Sequence, residues 1–344
     1  MVDVQSLIRK NVRNLKPYSS ARDEFKGTAS VWLDANENPN NNGLNRYPDP
    51  LQKKLKERIS KLKSVPTKNI FLGNGSDEAI DLLFRGFCEP GKDKALICSP
   101  TYGMYQVSAD INDVEVIDVP LTSDWQLNTK SIQKHFGEPN LKLIFICSPN
   151  NPTGNCMNRE DIIALVSEFN GLVVIDEAYI DFAVAESLTS ELDKFNNLVV
   201  LQTLSKAWGL AGIRLGIAFA NEIVIDVLNR IKPPYNVNQL TQEVALKELA
   251  DEAKFKTGVA AILSESKRLQ NELQLLKNVL EMHPSYANFL LVRFVDPKEI
   301  YHVLSTKGIV VRDRSNVAEG CLRITVGTEK ENALLIEELK KLEP

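Results

Sequence analysis

TLSKAWGLAGIRLG, residues 203–216, is the stretch from which the rest of the chain is best read. An apolar run, LVVLQ (198–202), leads into Ser205 and Lys206, which are trailed by small residues and by Arg214. A lysine that ends a buried strand beside another cation loses proton affinity and becomes a nucleophilic amine, which is what Schiff-base chemistry requires. A lone lysine is ordinarily a solvated surface charge. The order strand, Ser-Lys, small residues, Arg reverses that reading.

Upstream, VVIDEAY (173–179) is an apolar strand that ends abruptly in Asp176, Glu177 and Tyr179. A carboxylate at the C-terminal end of a parallel strand sits at the crevice where open α/β sheets bind ligands. Such an Asp could hold Mg²⁺, cap a helix or keep a pyridinium nitrogen protonated, and the last makes the ring an electron sink. Further upstream, FLGNGSDEAIDLLF (71–84) runs from glycines, among them Gly75, through Ser76 and Asp77 into an apolar helical pattern. A helix start of that kind presents free N–H groups and a positive dipole end to a phosphate, although an ordinary capped helix reads the same way. Between them, CSPNNPTGN (147–155) is a polar turn after a buried strand, with Asn150 and Asn151 offering amide donors.

Short apolar runs at 95–98, 143–147, 172–175 and 198–202 alternate with helix-like segments, a rhythm that predicts an α/β fold with a parallel or mixed sheet. LQKKLKERISKL (51–62) places Leu51, Leu55, Ile59 and Leu62 at helical spacing, as a packed surface helix would. IKPPYN (231–236) interrupts the pattern and is followed by an amphipathic segment of about 40 residues, so a change of domain is expected near it. Beyond it, FLLVRF (289–294), GIVVR (308–312) and CLRITVG (321–327) read as three strands of a smaller α/β unit. NPNNNGLN (38–45) reads as a loop.

The 344 residues carry a net charge of −4, with 43% hydrophobic and 25% charged side chains, which offers no long-range attraction to nucleic acid or acidic membranes. No run of about 18 apolar residues and no signal-peptide core is evident, so a cytoplasmic protein without a membrane span is expected. Five cysteines without a C-x-x-C pair fit reduced thiols. His135, His283 and His302 are scattered, and neither G-x-S-x-G nor H-E-x-x-H occurs, so neither a Ser-His-Asp site nor a metal site is expected.

Taken in order, these four pieces resemble the fold-type I pyridoxal-phosphate (PLP) aminotransferases. RYPDP (46–50), CEPGKD (88–93), PTYGMY (100–105), CSPNNPTG (147–154), DEAYIDF (176–182), TLSKAWGLAGIRLG (203–216) and CLRITVGT (321–328) extend the likeness to the histidinol-phosphate aminotransferase family over nearly the whole chain. The resemblance implies a large domain with a mostly parallel seven-stranded sheet flanked by helices, here 45–240, and a smaller α/β C-terminal domain, 241–344. Residues 1–44 would form an N-terminal arm and a segment joining the small domain.

The resemblance also implies roles. Lys206 would hold PLP covalently and shuttle the proton, Asp176 would pair with the ring nitrogen, Asn151 and Tyr179 would bond the phenolic oxygen, and Tyr102 would stack on the ring. The cofactor phosphate would rest on Gly75, Ser76 and Asp77 with Ser205 and Arg214. Ser76 stands where many relatives have alanine, a harmless exchange if the backbone N–H does the binding. Tyr47 would reach the phosphate of the neighbouring subunit in a homodimer. Arg312, Arg323 and Tyr18, the last within NLKPYSSAR (14–22), together with Asn151, would bind substrate. The implied reaction is L-histidinol phosphate plus 2-oxoglutarate giving imidazole acetol phosphate and glutamate, in histidine biosynthesis. A threonine-phosphate decarboxylase, or an aromatic or broad-specificity aminotransferase, would share the scaffold. An aminotransferase-like effector domain of a transcription regulator is disfavoured because only about 30 residues precede VWLDANENP (31–39).

Overall fold

The computed structural model describes residues 2–18, 24–25 and 27–343. Seven strands form the main sheet: β1 (Ile70–Asn74), β2 (Lys94–Ile97), β3 (Glu115–Asp118), β4 (Leu141–Cys147), β5 (Leu172–Asp176), β6 (Leu198–Thr203) and β7 (Leu215–Ala220). Their order is β1-β7-β6-β5-β4-β2-β3, and only β7 runs against its neighbours. The expected mostly parallel seven-stranded sheet is therefore present. All four apolar runs picked out above lie in it, because a strand covered on both faces has no solvent side to mark with polar residues.

Alternation along these strands divides the core in two. Val174, Val199 and Leu201 face the helices Ser76–Phe87, Met104–Ile111 and Glu222–Ile231. Val173, Ile175 and Val200 face Lys53–Lys63, Arg159–Glu168 and Gln239–Leu249. Leu51 falls outside the helix expected over 51–62, since Gln52 takes a left-handed conformation (φ 50°) and starts it afresh at Lys53.

A second sheet, β8 (Val279–Met282), β9 (Phe289–Phe294), β10 (Arg312–Asp313) and β11 (Cys321–Thr325), is antiparallel in the order β10-β11-β9-β8. Leu290, Val292, Leu322 and Ile324 pack there against Leu269, Leu304 and Leu335 of three helices. GIVVR (308–312) is not the strand expected of it: only Arg312 pairs, and the ladder continues into Asp313.

The long amphipathic segment is two helices, Gln239–Leu249 and Glu252–Leu273, with Asp251 capping the second by accepting from Lys254 N. Ala245 and Leu249 belong to the core of the large sheet, Leu269 and Leu273 to that of the small one. The change of core falls between Leu249 and Leu269, beyond the expected 231–240, and Phe255 just after Asp251 still stacks on Trp208 of the large domain (4.0 Å, 14°). Arg58 fastens the break, donating from Nε to Leu249 O (3.0 Å) and pairing with Glu252 (2.8 Å).

The N-terminal arm also departs from expectation. Val4, Leu7, Ile8 and Val12 are buried in the core of the large domain, Arg9 N donates to Gly86 O (2.9 Å), and Asn196 donates to Val2 O (2.6 Å). Apolar residues at this spacing cover the seam beside helices Ser76–Phe87 and Glu222–Ile231, so residues 2–12 belong to the large domain. Residues 19–22 of NLKPYSSAR lie outside the described residues.

Candidate active site

Strands β4, β5 and β6 end side by side at Cys147, Asp176 and Thr203, and the small sheet overhangs them. Between the two lies a cavity of about 420 Å³. Gly75, Ser76, Asp77, Tyr102, Asn151, Asp176, Tyr179, Ser205, Lys206, Arg214, Arg312 and Arg323 all line it. Tyr47 and Tyr18 do not. Tyr47 is exposed and stacks on Tyr235 (4.4 Å, 13°), and Tyr18 is exposed on the N-terminal arm.

The floor is Asp176, fully buried by its pairing with Cys147 across β4 and β5. Its Oδ1 accepts from Ala178 N (3.0 Å) and its Oδ2 from the hydroxyl of Tyr105 (2.7 Å). Burial raises the carboxyl pKa, and these two hydrogen bonds oppose the rise. Tyr105 is itself buried, stacked on Phe145 (4.9 Å) and edge-on to Tyr102 (5.6 Å). Tyr102 in turn donates to Asp77 Oδ1 (3.1 Å). PTYGMY holds two tyrosines, and nothing in the string tells which of them turns inward onto Asp176.

Lys206 follows β6 and is partly buried, with Nζ 5.6 Å from the centroid of the Tyr179 ring. Burial lowers its pKa, Arg323 and Arg214 lower it further, and Asp176 and Asp77 pull the other way. The turn that carries it is pinned by Leu204 N to Leu215 O (3.1 Å) and Gly209 N to Lys206 O (3.0 Å). The Tyr179 phenol is also shifted upward, chiefly by burial.

At one end, Gly75 (φ 78°) precedes the helix Ser76–Phe87, whose first N–H groups have no side-chain cap. A Cβ on Gly216 would sit 2.2 Å from Gly75 C and Ser76 N, and one on Gly75 would sit 2.7 Å from Arg214 Nη2. Only glycines allow β7 and Arg214 to close on this turn. Ser205 and Thr203 complete the rim, 3.0 Å apart through their hydroxyls.

At the other end, β10 and β11 place Arg312 opposite Arg323. Arg323 Nη1 donates to Asn151 Oδ1 (2.5 Å), which leaves the Asn151 amide N–H₂ as its remaining donor. Asn150, by contrast, staples its own loop, donating to Pro100 O (2.9 Å) and Thr153 Oγ1 (2.7 Å). Arg314 also lines the cavity, in the stretch between GIVVR (308–312) and CLRITVG (321–327) that carries no apolar run to mark it. Glu177 faces away into a buried network with Ser187, Leu188 N and Gln202.

An uncapped helix start with an arginine at one end, a buried carboxylate below, and a lysine of lowered pKa between them match the donor set that PLP needs. The glycine-lined cradle suits a phosphate, and Asp176 suits a protonated ring nitrogen. Residues 14–339 match the aminotransferase class I and II family. The chain belongs to that family. Its cofactor is pyridoxal phosphate, and no cluster among the described residues could hold a metal. A histidinol-phosphate aminotransferase of Parabacteroides distasonis is 56% identical over 344 residues, covering 99% of each chain. The crystal structure of the histidinol-phosphate aminotransferase from Clostridium acetobutylicum matches this aminotransferase at 25% identity with a TM-score of 0.80, over 87% of this chain and 91% of that one. That from Sinorhizobium meliloti, in complex with pyridoxal-5'-phosphate, matches at 23% identity with a TM-score of 0.78, over 86% of this chain and 82% of that one. Among the described residues of this aminotransferase no helix is long and apolar enough to cross a membrane.

Proposed function

We propose that this aminotransferase moves the amino group of L-histidinol phosphate to 2-oxoglutarate, yielding imidazole acetol phosphate and L-glutamate for histidine biosynthesis, as a cytoplasmic homodimer. The observation that carries the reading is the cross-strand pair Arg312 and Arg323, on the wall that faces Lys206. Two guanidinium groups suit a dianionic tail.

Bound PLP supplies an electrophilic carbon for the substrate amine and a ring that accepts the electron pair left on Cα. Lys206 Nζ, deprotonated more readily than an ordinary lysine, would take up the proton released at substrate Cα and hold it for return. Asp176 would hold a proton on the ring nitrogen, and its hydrogen bonds from Tyr105 and Ala178 N fix the carboxylate in place for that role. Asn151 and Tyr179 would donate to the phenolic oxygen, and Tyr102 would pack against the ring. Gly75, Ser76, Asp77, Ser205 and Arg214 hold the phosphate, with Tyr47 of the partner subunit closing it from across the interface. Arg323 would meet the carboxylates of glutamate as well as the phosphate of the other substrate, and Arg312 would join it, whereas Tyr18 lies outside the cavity.

Half-reactions of the holoenzyme followed by absorbance test this assignment. L-Histidinol phosphate should react with a kcat/KM about 100-fold above that of free aromatic amino acids, as expected from about 3 kcal/mol for two charge-assisted contacts. A preference for the aromatic amino acids would overturn the substrate assignment. Release of CO₂ from a phosphorylated amino acid, with no amino group appearing on 2-oxoglutarate, would overturn amino transfer itself.

A further inference from the structure

We infer that Arg314 is a third arm of the substrate anion site and sets the preference for a doubly charged phosphate over a carboxylate. The inference rests on the substrate reading above and adds a residue to it.

Arg314 continues the edge that begins at Arg312. Register pairs Arg312 with Arg323 and Asp313 with Leu322, and Arg314 N then donates to Cys321 O (3.0 Å). Strand alternation puts residues 312 and 314 on one face and residue 313 on the other. The Arg314 carbonyl accepts from Val317 N (2.9 Å) and Ala318 N (2.8 Å), so the main chain beneath this side chain is pinned on both sides.

The three guanidinium groups share one wall of the cavity, and among the described residues none has a carboxylate at ion-pairing distance. Asp313, the nearest in sequence, is occupied by Ser315 N (2.8 Å). The Nε atoms of Arg314 and Arg323 are both buried without a hydrogen-bond partner. A buried charged donor left unpaired is costly, so both point to an acceptor that arrives from outside the chain. The Arg314 guanidinium is held below its ordinary proton affinity by burial and by its two arginine neighbours, the electrostatic signature of an uncompensated cationic cluster. One carboxylate would leave two of three charges unbalanced. A phosphate dianion balances most of them and has three oxygens to share among the three forks.

The test compares wild type, Arg314→Gln, Arg314→Lys and Arg323→Gln as holoenzymes. Single-turnover kcat/KM is measured for L-histidinol phosphate, for L-histidinol and for L-glutamate, with inorganic phosphate as a competing probe. Arg314→Gln should shrink the ratio of histidinol phosphate to histidinol by about tenfold or more, on the order of one lost charge-assisted contact. It should weaken inhibition by inorganic phosphate and change the glutamate half-reaction less than about threefold, while Arg314→Lys retains most of the ratio. Melting curves and cofactor absorbance show whether each variant is folded and loaded. An equal loss for histidinol phosphate and histidinol would reduce Arg314 to a structural role and overturn the inference. An unchanged ratio in Arg314→Gln beside a collapsed ratio in Arg323→Gln would overturn it too, leaving the substrate reading intact. If neither variant alters the ratio, the substrate reading itself falls.

Discussion

Asp176 shows what a single residue needs in order to work at the bottom of a pocket. Its carboxyl is buried, which favours the neutral acid, yet the role proposed for it, holding a proton on a ring nitrogen, requires the anion. Two donors, Ala178 N and the Tyr105 hydroxyl, push it back toward the anion. Tyr105→Phe removes one of them without changing the shape of the aromatic column. The Asp176 pKa should then rise further, PLP affinity should fall about tenfold, and the apoprotein should lose about 1–2 kcal/mol for the stranded Oδ2. Equilibrium PLP titration and urea unfolding of the apoprotein measure the two effects. Unchanged affinity would mean that Ala178 N alone suffices.

At the scale of elements, the helix Lys53–Lys63 carries a cost that a sequence pattern does not reveal. Lys56 lies on its buried side, and its pKa is pushed down to about 8 by burial, with Lys232 adding to the shift and Asp49 opposing it. Lys232 Nζ in turn donates to Pro50 O (2.9 Å) and Pro234 O (2.9 Å), holding the 231–236 loop to the start of that helix. The folded-state pKa lies below the unfolded value of about 10.4, so the unfolded chain binds more protons in the window between them and stability rises with pH there. Lys56→Met should stabilise the protein by about 1–3 kcal/mol below pH 8, and the gain should fade as pH climbs toward about 10. Urea unfolding at pH 7 and at pH 9.5 checks it. A gain that did not depend on pH would trace to packing instead. The elements themselves were unevenly legible. Strands β2, β4, β5 and β6 stood out as apolar runs, whereas β3 (Glu115–Asp118) is a half-exposed edge strand with no such run. The change of core within 249–269 was hidden because Gln239–Leu249 and Glu252–Leu273 are both amphipathic, and the second begins on the large domain through Phe255 before its end enters the small core.

For the whole molecule, the cavity is built from one wall of the large domain and one of the small, and Tyr47 stands outside it with its ring stacked on Tyr235. If Tyr47 serves the site of a partner subunit, two inactive variants should repair one another. Lys206→Ala mixed with Tyr47→Ala after dissociation and reassociation should recover about one quarter of wild-type activity, since half of the dimers would be mixed and each would hold one intact site. Recovery absent despite demonstrated subunit exchange would confine each site to its own chain. By itself the sequence determined the chemistry-bearing turns: the lysine after β6, the Asp that ends β5, the glycine turn before Ser76 and the asparagine turn after β4. Each depends on strand ends and helix starts, which are local features written in a few consecutive residues. Only the tertiary structure decided that Tyr105 rather than another donor supports Asp176, that Arg314 joins Arg312 and Arg323, and that residues 2–12 pack on the large domain. Those outcomes depend on strand register and on which of several apolar faces meet, contacts between residues tens to hundreds of positions apart that no local pattern encodes.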